Sequence, residues 1–410
     1  MIVEHQTAIS PAIASSEASP TQSLAAAALR RLVGHLACGE LVIDTPKGGR
    51  LTLGGSEDGP RARLSIHNWR LLIRLAFGWD IGVAESYIAG EWSSPNLTAL
   101  LTLGARNGAA AGPLHSLRTP RPWLRFRHAM NRNTRRGSRR NIAAHYDLGN
   151  AFYRLWLDAG MSYSAGVFSS PHQTLEGAQE AKLDRVCELL ELTGGERVLE
   201  IGCGWGALAE RLMNTTACSV TGITLSTEQL AYAQRRLSLE AQSGRCELRL
   251  QDYRDIEGRF DRIVSIEMLE AVGEAYWPTY FAKLRDSLRP GGIAVLQVIT
   301  VDETRFARYR RQPDFIQKYI FPGGMLPTKQ IIAREAAGVG LRPVRTASFG
   351  SSYARTIEEW RRRFETAWPA IEPLGFDQRF KRMWEYYLAY CQAGFEAGAI
   401  DVSFFKCLRP

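Results

Sequence analysis

Cysteine pairs and clusters of metal ligands are missing from this sequence of 410 residues. The seven cysteines are scattered, none of them forms a CxxC pair, and no group of histidines and cysteines has zinc-site spacing. These absences exclude a disulfide-stapled secreted scaffold and a zinc module. An odd number of scattered cysteines is typical of reduced thiols, so we expect a cytoplasmic protein without a metal site.

Long hydrophobic runs are missing as well. The most apolar stretch, residues 24–43, is interrupted by Arg30, Arg31, His35 and Glu40, whereas a helix that crosses a bilayer needs about 20 mostly apolar residues. The first ten residues do not place an apolar run after a positive charge, as a secretion signal would. The sequence therefore predicts no membrane span, and an amphipathic helix explains residues 24–43 better.

The remaining composition is that of a folded protein, with 45% hydrophobic and 23% charged residues. The net charge of +9 favours an anionic partner, which could be nucleic acid, an acidic substrate or a phospholipid surface. Shifts in composition predict four parts: a disordered tail over 1–22, a small α+β domain over 23–112, a basic linker over 113–140 and a larger α/β domain over 141–410.

The segment 113–140 contains nine arginines and no acidic residue, and Trp123, Leu124, Phe126 and Met130 are interleaved with them. Such a segment can be a solvated linker. It can also lie on a membrane surface, with the apolar side chains at the interface and the arginines on anionic head groups. Nucleic-acid binding predicts the same basic and aromatic pattern, so this segment alone does not decide between these alternatives.

Helical and strand patterns alternate from residue 175 onward. Amphipathic helices separate apolar strands, which are predicted at 197–201, 219–223, 247–250, 260–266 and 293–298. Alternation of this kind gives a parallel sheet with helices on both faces, which is the Rossmann-like, doubly wound α/β fold.

The most informative motif is 198–206, VLEIGCGWG, in which an apolar strand runs into three closely spaced glycines and then a helix. Glycines at the carboxyl end of a strand let the backbone approach a ligand. Glu200 precedes them at a point where a carboxylate can meet a cationic amino acid group. The spacing E-x-G-x-G-x-G differs from the G-x-G-x-x-G of dinucleotide sites and resembles motif I of class I S-adenosylmethionine methyltransferases.

Two further segments follow where that fold needs them. Most class I enzymes end the second strand with an acid for the ribose hydroxyls, and this sequence has Thr224 and Gln229 there instead. Ser226 and Gln229 also have the spacing of a helix capping box, and the two roles are compatible. After the third strand, Asp252 is expected near the adenine amine.

These motifs, taken in order, are specific. The segments AHYDLGN at 144–150, GITLSTEQ at 222–229, QDYRD at 251–255, FDRIVSIEMLE at 260–270 and YIFPGG at 319–324 resemble the cyclopropane-fatty-acyl-phospholipid synthase family over about 270 residues. The resemblance implies S-adenosylmethionine as cofactor. The residues expected to bind it are Tyr146, Glu200, Gly202, Cys203, Gly204, Gly206, Thr224, Leu225, Ser226, Gln229, Asp252 and Tyr253.

The family resemblance also implies a reaction. An alkene in an acyl chain attacks the methyl of a sulfonium, a carbocation forms in the chain, and a base removes a proton to give a cyclopropane or a methyl- or methylene-branched chain. Glu270 matches the family's catalytic glutamate. Glu267, where family members often have glycine, would add a second carboxylate, and Cys391 matches a cysteine that lines the family's active site.

Three positions depart from the family pattern. Many members hold a bicarbonate ion as the base, and the alignment places Ala165, Gln297 and Arg361 where they have cysteine, histidine and tyrosine. Bicarbonate binding is therefore doubtful. Either Arg361 holds an anion by its charge, or Glu267 or Glu270 acts as the base.

The partners implied are an anionic phospholipid surface, on the inner face of the membrane, and its unsaturated acyl chains. A homodimer is compatible with the family, and no nucleic acid is expected. Two alternatives stay open: a methyltransferase on the same fold acting on another small molecule or RNA, and a non-catalytic membrane-binding protein. The sequence 267–270, EMLE, lacks the Asn/Asp-Pro-Pro-aromatic motif of nucleic-acid amine methylation.

Overall fold

The structure is a computed structural model that describes residues 34–108, 133–135, 137–138, 141 and 148–410, with the backbone alone for 76–80. The predicted tail over 1–22, most of the arginine-rich segment and Tyr146 lie outside these ranges. The described residues form a sheet of four strands and a sheet of seven, with helices packed against both.

The strands are β1 (Cys38–Asp44), β2 (Arg50–Gly54), β3 (Glu57–Ile66), β4 (Trp92–Ser93), β5 (Arg197–Ile201), β6 (Ser219–Thr224), β7 (Cys246–Leu250), β8 (Phe260–Ile266), β9 (Leu288–Val301), β10 (Arg342–Ser348) and β11 (Ile400–Leu408). The α-helices are α1 (Arg70–Ile88), α2 (Leu97–Asn107), α3 (Asn150–Arg154), α4 (Leu175–Leu190), α5 (Ala207–Thr215), α6 (Thr227–Arg236), α7 (Ser238–Gln242), α8 (Leu269–Val272), α9 (Trp277–Ser287), α10 (Glu303–Tyr309), α11 (Lys329–Gly338), α12 (Gly350–Ile371) and α13 (Gln378–Glu396). Within the described ranges, no helix combines the length and apolar content that crossing a bilayer requires.

The seven-stranded sheet has the order β10-β11-β9-β8-β5-β6-β7. The pairs β5–β6, β5–β8, β6–β7 and β8–β9 are parallel, and β11 runs antiparallel to both of its neighbours. The central strand β5 is buried from Val198 onward because helices cover both faces of the sheet. This confirms the predicted Rossmann-like α/β fold. The antiparallel strand β11 was not part of the sequence prediction.

The four-stranded sheet has the order β2-β1-β3-β4. Strands β1 and β2 form an antiparallel hairpin, and the turn between them uses the left-handed conformation of Gly48. Strand β3 pairs parallel to β1 and antiparallel to β4. Helices α1 and α2 accompany this sheet, so residues 34–108 contain both helices and strands. Residues 38–43, which were predicted to belong to an amphipathic helix, form part of strand β1.

Helix α13 fixes residues 34–108 against the larger sheet. The Thr98 hydroxyl on α2 donates a hydrogen bond to Gln392 Oε1 over 3.0 Å, and the Tyr87 hydroxyl on α1 donates to Glu385 Oε2 over 3.1 Å. One continuous hydrophobic cluster contains buried residues from β1, α1, α2, α12 and α13. Any cavity that α13 lines is therefore close to the smaller sheet and its helices.

Candidate active site

A cavity of about 1030 Å³ opens at the carboxyl ends of β5, β6, β8 and β9. Ligands of open parallel sheets bind at this edge. Of the predicted cofactor-binding and catalytic residues, those that line the cavity are Glu200, Gly202, Cys203, Gly204, Thr224, Leu225, Gln229, Tyr253, Glu267, Glu270 and Cys391. The predicted residues Gly206, Ser226, Asp252, Gln297 and Arg361 are not among the lining residues.

The glycine loop forms a cradle on one side of the cavity. Gly202 has a φ of +84°, and a Cβ added there would lie 2.5 Å from Met268 Cγ, so no side chain fits. Gly204 has a φ of +52°, and no atom lies within 4 Å of the place where its Cβ would be. The backbone at Gly204 thus faces open space, as close approach of a ligand requires.

The turn after β6 holds a small hydrogen-bond network. Ser226 caps α6 by accepting a hydrogen bond from the Gln229 amide over 3.2 Å. The predicted capping box is only half formed, because the Ser226 amide donates to Thr224 Oγ1 instead of to Gln229. The Thr224 hydroxyl donates to Gln229 Oε1 over 3.1 Å. This network holds Thr224 and Gln229 side by side in the cavity wall.

Asp252 and Tyr253 differ in what they can offer a ligand. The Asp252 carboxylate accepts two hydrogen bonds from the Arg254 guanidinium, at 2.8 and 2.6 Å, and does not reach the cavity. Tyr253 lines the cavity, and its buried hydroxyl has no hydrogen-bond partner. The adenine contact expected of Asp252 therefore has no geometric support, and Tyr253 is the residue that faces the cavity.

Glu200 is a buried acid with unused hydrogen-bonding capacity. Its side chain is buried, and its Oε2 atom has no partner. Burial raises the pKa of Glu200 to about 8 against the opposing charge of Lys182. A buried carboxylate without a partner is costly unless a ligand supplies a positive charge or a donor. Together with the glycine cradle, Glu200 and Tyr253 fit S-adenosylmethionine, whose ammonium and adenine need such groups.

The Glu267 carboxylate accepts three hydrogen bonds in the cavity wall. Its Oε1 accepts from the Ala165 amide at 2.9 Å and from Gln297 Nε2 at 2.7 Å, and its Oε2 accepts from the Tyr353 hydroxyl at 2.7 Å. Its backbone is left-handed, with a φ of +51°. A residue other than glycine is strained by roughly 1–2 kcal/mol in that conformation. The three hydrogen bonds therefore hold a strained residue in place.

Glu270 lies one helical turn further along and is buried. Its Oε1 accepts a hydrogen bond from the Ile299 amide, and its Oε2 has no partner. Burial, together with the nearby charge of Glu267, raises the pKa of Glu270 to about 8. Burial also raises the pKa of Glu267, while the hydrogen bonds to its carboxylate act in the opposite direction. Two acids in one apolar cavity thus have different environments, and Glu267 is the better-stabilised carboxylate.

The model of the mycolic acid cyclopropane synthetase family matches residues 133–405. The chain belongs to this family. A tuberculostearic acid methyltransferase from Mycobacterium tuberculosis is 40% identical over 97% of this chain and 95% of its own length. A cyclopropane-fatty-acyl-phospholipid synthase from Escherichia coli is 37% identical over 83% of this chain and 86% of its own length. The family resemblance predicted from the motifs is thereby confirmed.

Solved structures agree with this family. The cyclopropane synthase MmaA2 from Mycobacterium tuberculosis superposes with a TM-score of 0.62 at 31% identity, over 66% of this chain and 98% of its own. The mycolic acid cyclopropane synthase CmaA1, complexed with SAH and CTAB, gives a TM-score of 0.61 at the same identity and coverage. This chain is accordingly an S-adenosylmethionine-dependent methyltransferase with the class I fold, in a family that acts on lipid acyl chains.

Arg361, which was predicted to be a site residue, does not line the cavity. Its guanidinium pairs with Glu365 one turn along α12, with Nη1 and Oε1 3.1 Å apart. A tyrosine hydroxyl reaches Glu267 from Tyr353 instead, eight residues earlier on the same helix. The position of Arg361 therefore does not support the hypothesis that it holds an anion in the cavity.

The sequence analysis missed the residues that hold the loop before Gly166. Gln179 and Lys182, on one face of α4, donate hydrogen bonds to the carbonyl and the hydroxyl of Ser164 over 2.8 and 3.1 Å. Ser164 precedes Ala165, whose amide contacts Glu267. Gln179 and Lys182 are buried, so the QxxK spacing on an amphipathic helix was the available signal: polar residues on the apolar face.

Aromatic rings and a thiol complete the cavity wall. Tyr163, Tyr353, Trp360, Tyr387 and Phe395 line it together with Cys391. The Tyr353 ring lies 4.6 Å from Phe395 and 6.0 Å from Trp360, measured between ring centroids. Burial raises the pKa of the Cys391 thiol far above its ordinary value, so this thiol is protonated and inert. Cys391 is thus a lining residue.

Proposed function

We propose that this enzyme methylates the cis double bond of an acyl chain in a phospholipid, and that Glu267 removes the proton that completes the reaction. The observation that carries the proposal is the Glu267 carboxylate, held by three hydrogen bonds in a cavity walled by aromatic rings. A methyltransferase for a polar acceptor such as RNA would need polar groups for that acceptor, and this cavity offers mainly apolar surface.

The cofactor, when bound, supplies an electrophilic methyl group on a sulfonium. The alkene's π electrons form the new carbon–carbon bond to that methyl as the methyl–sulfur bond breaks and its electron pair stays on sulfur, and the other alkene carbon becomes a cation. The faces of Tyr353 and Trp360 line the cavity and can stabilise positive charge there, and Glu270 can do so once the cation lowers its raised pKa and the carboxyl ionises. A carboxylate at about 4 Å contributes roughly 4 kcal/mol at an effective dielectric of 20, and a desolvated aromatic face about 2 kcal/mol.

Proton removal then falls to the chain itself. Glu267 is the carboxylate whose charged form accepts hydrogen bonds from Ala165, Gln297 and Tyr353, so it is the group most ready to act as a base. When the proton leaves the new methyl group, its C–H electrons form the ring bond of a cyclopropane with the cationic carbon. If a hydride first shifts from the methyl-bearing carbon to the cationic carbon, the same electrons form the double bond of a methylene branch instead. The lipid gains one CH2 in each case, and the proton goes to Glu267.

A saturated methyl branch has two more hydrogens than these products. Its formation needs a hydride donor, which the reaction above does not supply. The proposed products of this chain acting alone are therefore the cyclopropane and the methylene branch, and a saturated branch would require a separate reductase.

The phospholipid and membrane parts of the proposal rest on charge. The net charge is +9, and nine arginines fall within 113–140 with aromatic residues between them. Each basic residue near an anionic leaflet contributes up to about 1 kcal/mol. Cosedimentation with vesicles should show binding that grows with the anionic lipid fraction and weakens with salt. Equal binding to neutral vesicles would contradict the membrane part without touching the methyl transfer.

The central experiment uses vesicles of cis-unsaturated phospholipid and S-adenosylmethionine labelled in its methyl group. We expect label in the acyl chains, a mass gain of one CH2, and no transfer to fully saturated lipid or to RNA. Glu267→Gln keeps the shape of the side chain but loses the base, so the rate should fall about 10²–10⁴-fold. Glu358→Gln, on the exposed face of α12, should match the parent. Unchanged methylation by Glu267→Gln would refute its role as the base.

A further inference from the structure

The cavity does not end at the reacting groups but continues into residues 34–108. There its wall is formed by side chains from both strands and helices: Ile43 on β1, Leu64 on β3, Leu72 and Leu75 on α1, and Leu101 on α2. Ile43 and Leu64 are register partners of the β1–β3 pair, so they face the cavity from adjacent strands. This leucine-rich part is called the inner wall below.

Two residues with polar side-chain groups, Asn107 and Trp92, also line this part of the cavity, and both make their hydrogen bonds to other protein groups. Asn107 accepts from the Ala37 and Cys38 amides, at 2.7 and 3.1 Å, and donates to the Cys38 and Leu103 carbonyls. The Trp92 indole N–H donates to the Val83 carbonyl and to Ser86 Oγ. Among the described residues of the inner wall, these side chains therefore have no spare polar group for a ligand. A ligand segment that fits this surface has no polar atoms of its own.

The inner wall has a fixed relation to the reacting groups. The Thr98 and Thr102 hydroxyls on α2 donate to Gln392 and Glu396 on α13, at 3.0 and 2.8 Å. Cys391, which lines the cavity beside the catalytic acids, is adjacent to Gln392. Because these hydrogen bonds join α2 to α13, the length of chain that fits between the acids and the inner wall is set by how the two helices pack.

We propose that the inner wall is a binding subsite for the methylene chain that extends from the reacting double bond, and that it determines which acyl chain lengths are methylated. This inference rests on the proposed function. Burying one methylene is worth about fourfold in an equilibrium constant, so each methylene in contact with the inner wall should raise kcat/KM by up to about that factor.

The test compares two neighbouring residues of α1. Leu72 belongs to the inner wall, whereas Ile73 is 61% exposed and does not line the cavity. Leu72→Ala and Ile73→Ala are assayed on phospholipids with one double-bond position and increasing acyl length, and on lipids of one length with the double bond moved. Leu72→Ala should lower the preference for long over short chains at least threefold, and Ile73→Ala should leave it unchanged.

A second variant adds a side chain at an exposed position of the cavity wall. Gly104 on α2 lines the cavity, has no left-handed φ, and has no atom within 4 Å of an added Cβ, so Gly104→Leu should be accommodated. It should abolish turnover of the longest substrates and spare the short ones. Gly338→Leu, which also meets open space but lies at the end of α11, is the control.

Binding of S-adenosylhomocysteine, measured by calorimetry, shows that each variant is folded and keeps its cofactor site. If the parent methylates no lipid, the proposed function fails. If the parent is active and both Leu72→Ala and Gly104→Leu keep its chain-length profile, the subsite is overturned while the proposed function stands.

Discussion

The Tyr353 hydroxyl donates a hydrogen bond of 2.7 Å to Glu267 Oε2, across 86 residues of sequence. Tyr353 belongs to α12, and Glu267 follows β8 in the left-handed conformation. Gln297 and the Ala165 amide bind the other oxygen of the same carboxylate. The family resemblance implies bicarbonate as the base in many members, and here three donors converge on a carboxyl group that belongs to the chain itself.

Removing the Glu267 side chain should make the enzyme dependent on an added anion. Glycine adopts a φ of +51° without strain, so Glu267→Gly should fold and leave the Ala165, Gln297 and Tyr353 donors free. We expect little methylation in buffer stripped of carbonate and partial recovery with added bicarbonate, whereas the parent should respond to neither change. A parent enzyme that needs bicarbonate would show that Glu267 is not the base.

Replacing Tyr353 by phenylalanine should shift the pH profile of methylation. Glu267 must be ionised to accept a proton, so activity rises with pH through the pKa of that carboxyl. The hydrogen bond from Tyr353 lowers this pKa, and its loss should move the acid limb of the profile to higher pH and lower the maximal rate a few-fold. Tyr232→Phe, outside the cavity, is the control, and an unmoved acid limb in Tyr353→Phe would contradict the assignment.

Alanine substitutions at two glycines with similar backbone angles distinguish the effect of backbone strain from the effect of a side chain added to the glycine loop. Gly202→Ala and Gly244→Ala each place a side chain at a φ between +74° and +84°, which costs roughly 1–2 kcal/mol. Only at Gly202 does the new Cβ meet Met268. Calorimetry should show at least tenfold weaker binding of S-adenosylhomocysteine to Gly202→Ala and near-parental binding to Gly244→Ala. Equal affinities of the two variants would show that the glycine loop is not part of the cofactor site.

Stability without cofactor should fall as pH rises. Burial raises the pKa values of Glu200 and Glu270 from 4.5 to about 8, so between these values the folded protein holds more protons than the unfolded chain. The free energy of unfolding therefore decreases with pH in that window, by at most roughly 1.4 kcal/mol per pH unit for each group.

Urea unfolding at pH 5, 6, 7 and 8 measures this slope. Glu270→Gln cannot ionise and should flatten the dependence, while Glu358→Gln should reproduce the parent curve. A parent free energy of unfolding that increases from pH 5 to pH 8 would contradict the raised pKa values. Saturating S-adenosylhomocysteine should reduce the slope, because its ammonium stabilises the ionised form of Glu200.

Local sequence was sufficient where the signal is local. Strands 197–201 and 260–266 were predicted with the bounds that the structure has, because an apolar run between turn residues determines a buried strand. Ser226 caps α6 as its spacing indicated. The partner of Gln229 was missed, since Thr224 and the Ser226 backbone compete for the same hydrogen bonds and only the folded turn decides between them.

By itself, the sequence determined the α/β fold, and it put the glycine loop after one strand and Glu267 and Glu270 after another, because periodicity, glycine spacing and motif order are properties of adjacent residues. Tertiary structure alone decided that Tyr353 and not Arg361 donates a hydrogen bond to Glu267, and that Arg254 pairs with Asp252. It also decided that side chains from residues 34–108 line the cavity. These contacts join residues far apart in the chain, and their geometry depends on how whole helices and sheets pack, which no short pattern encodes.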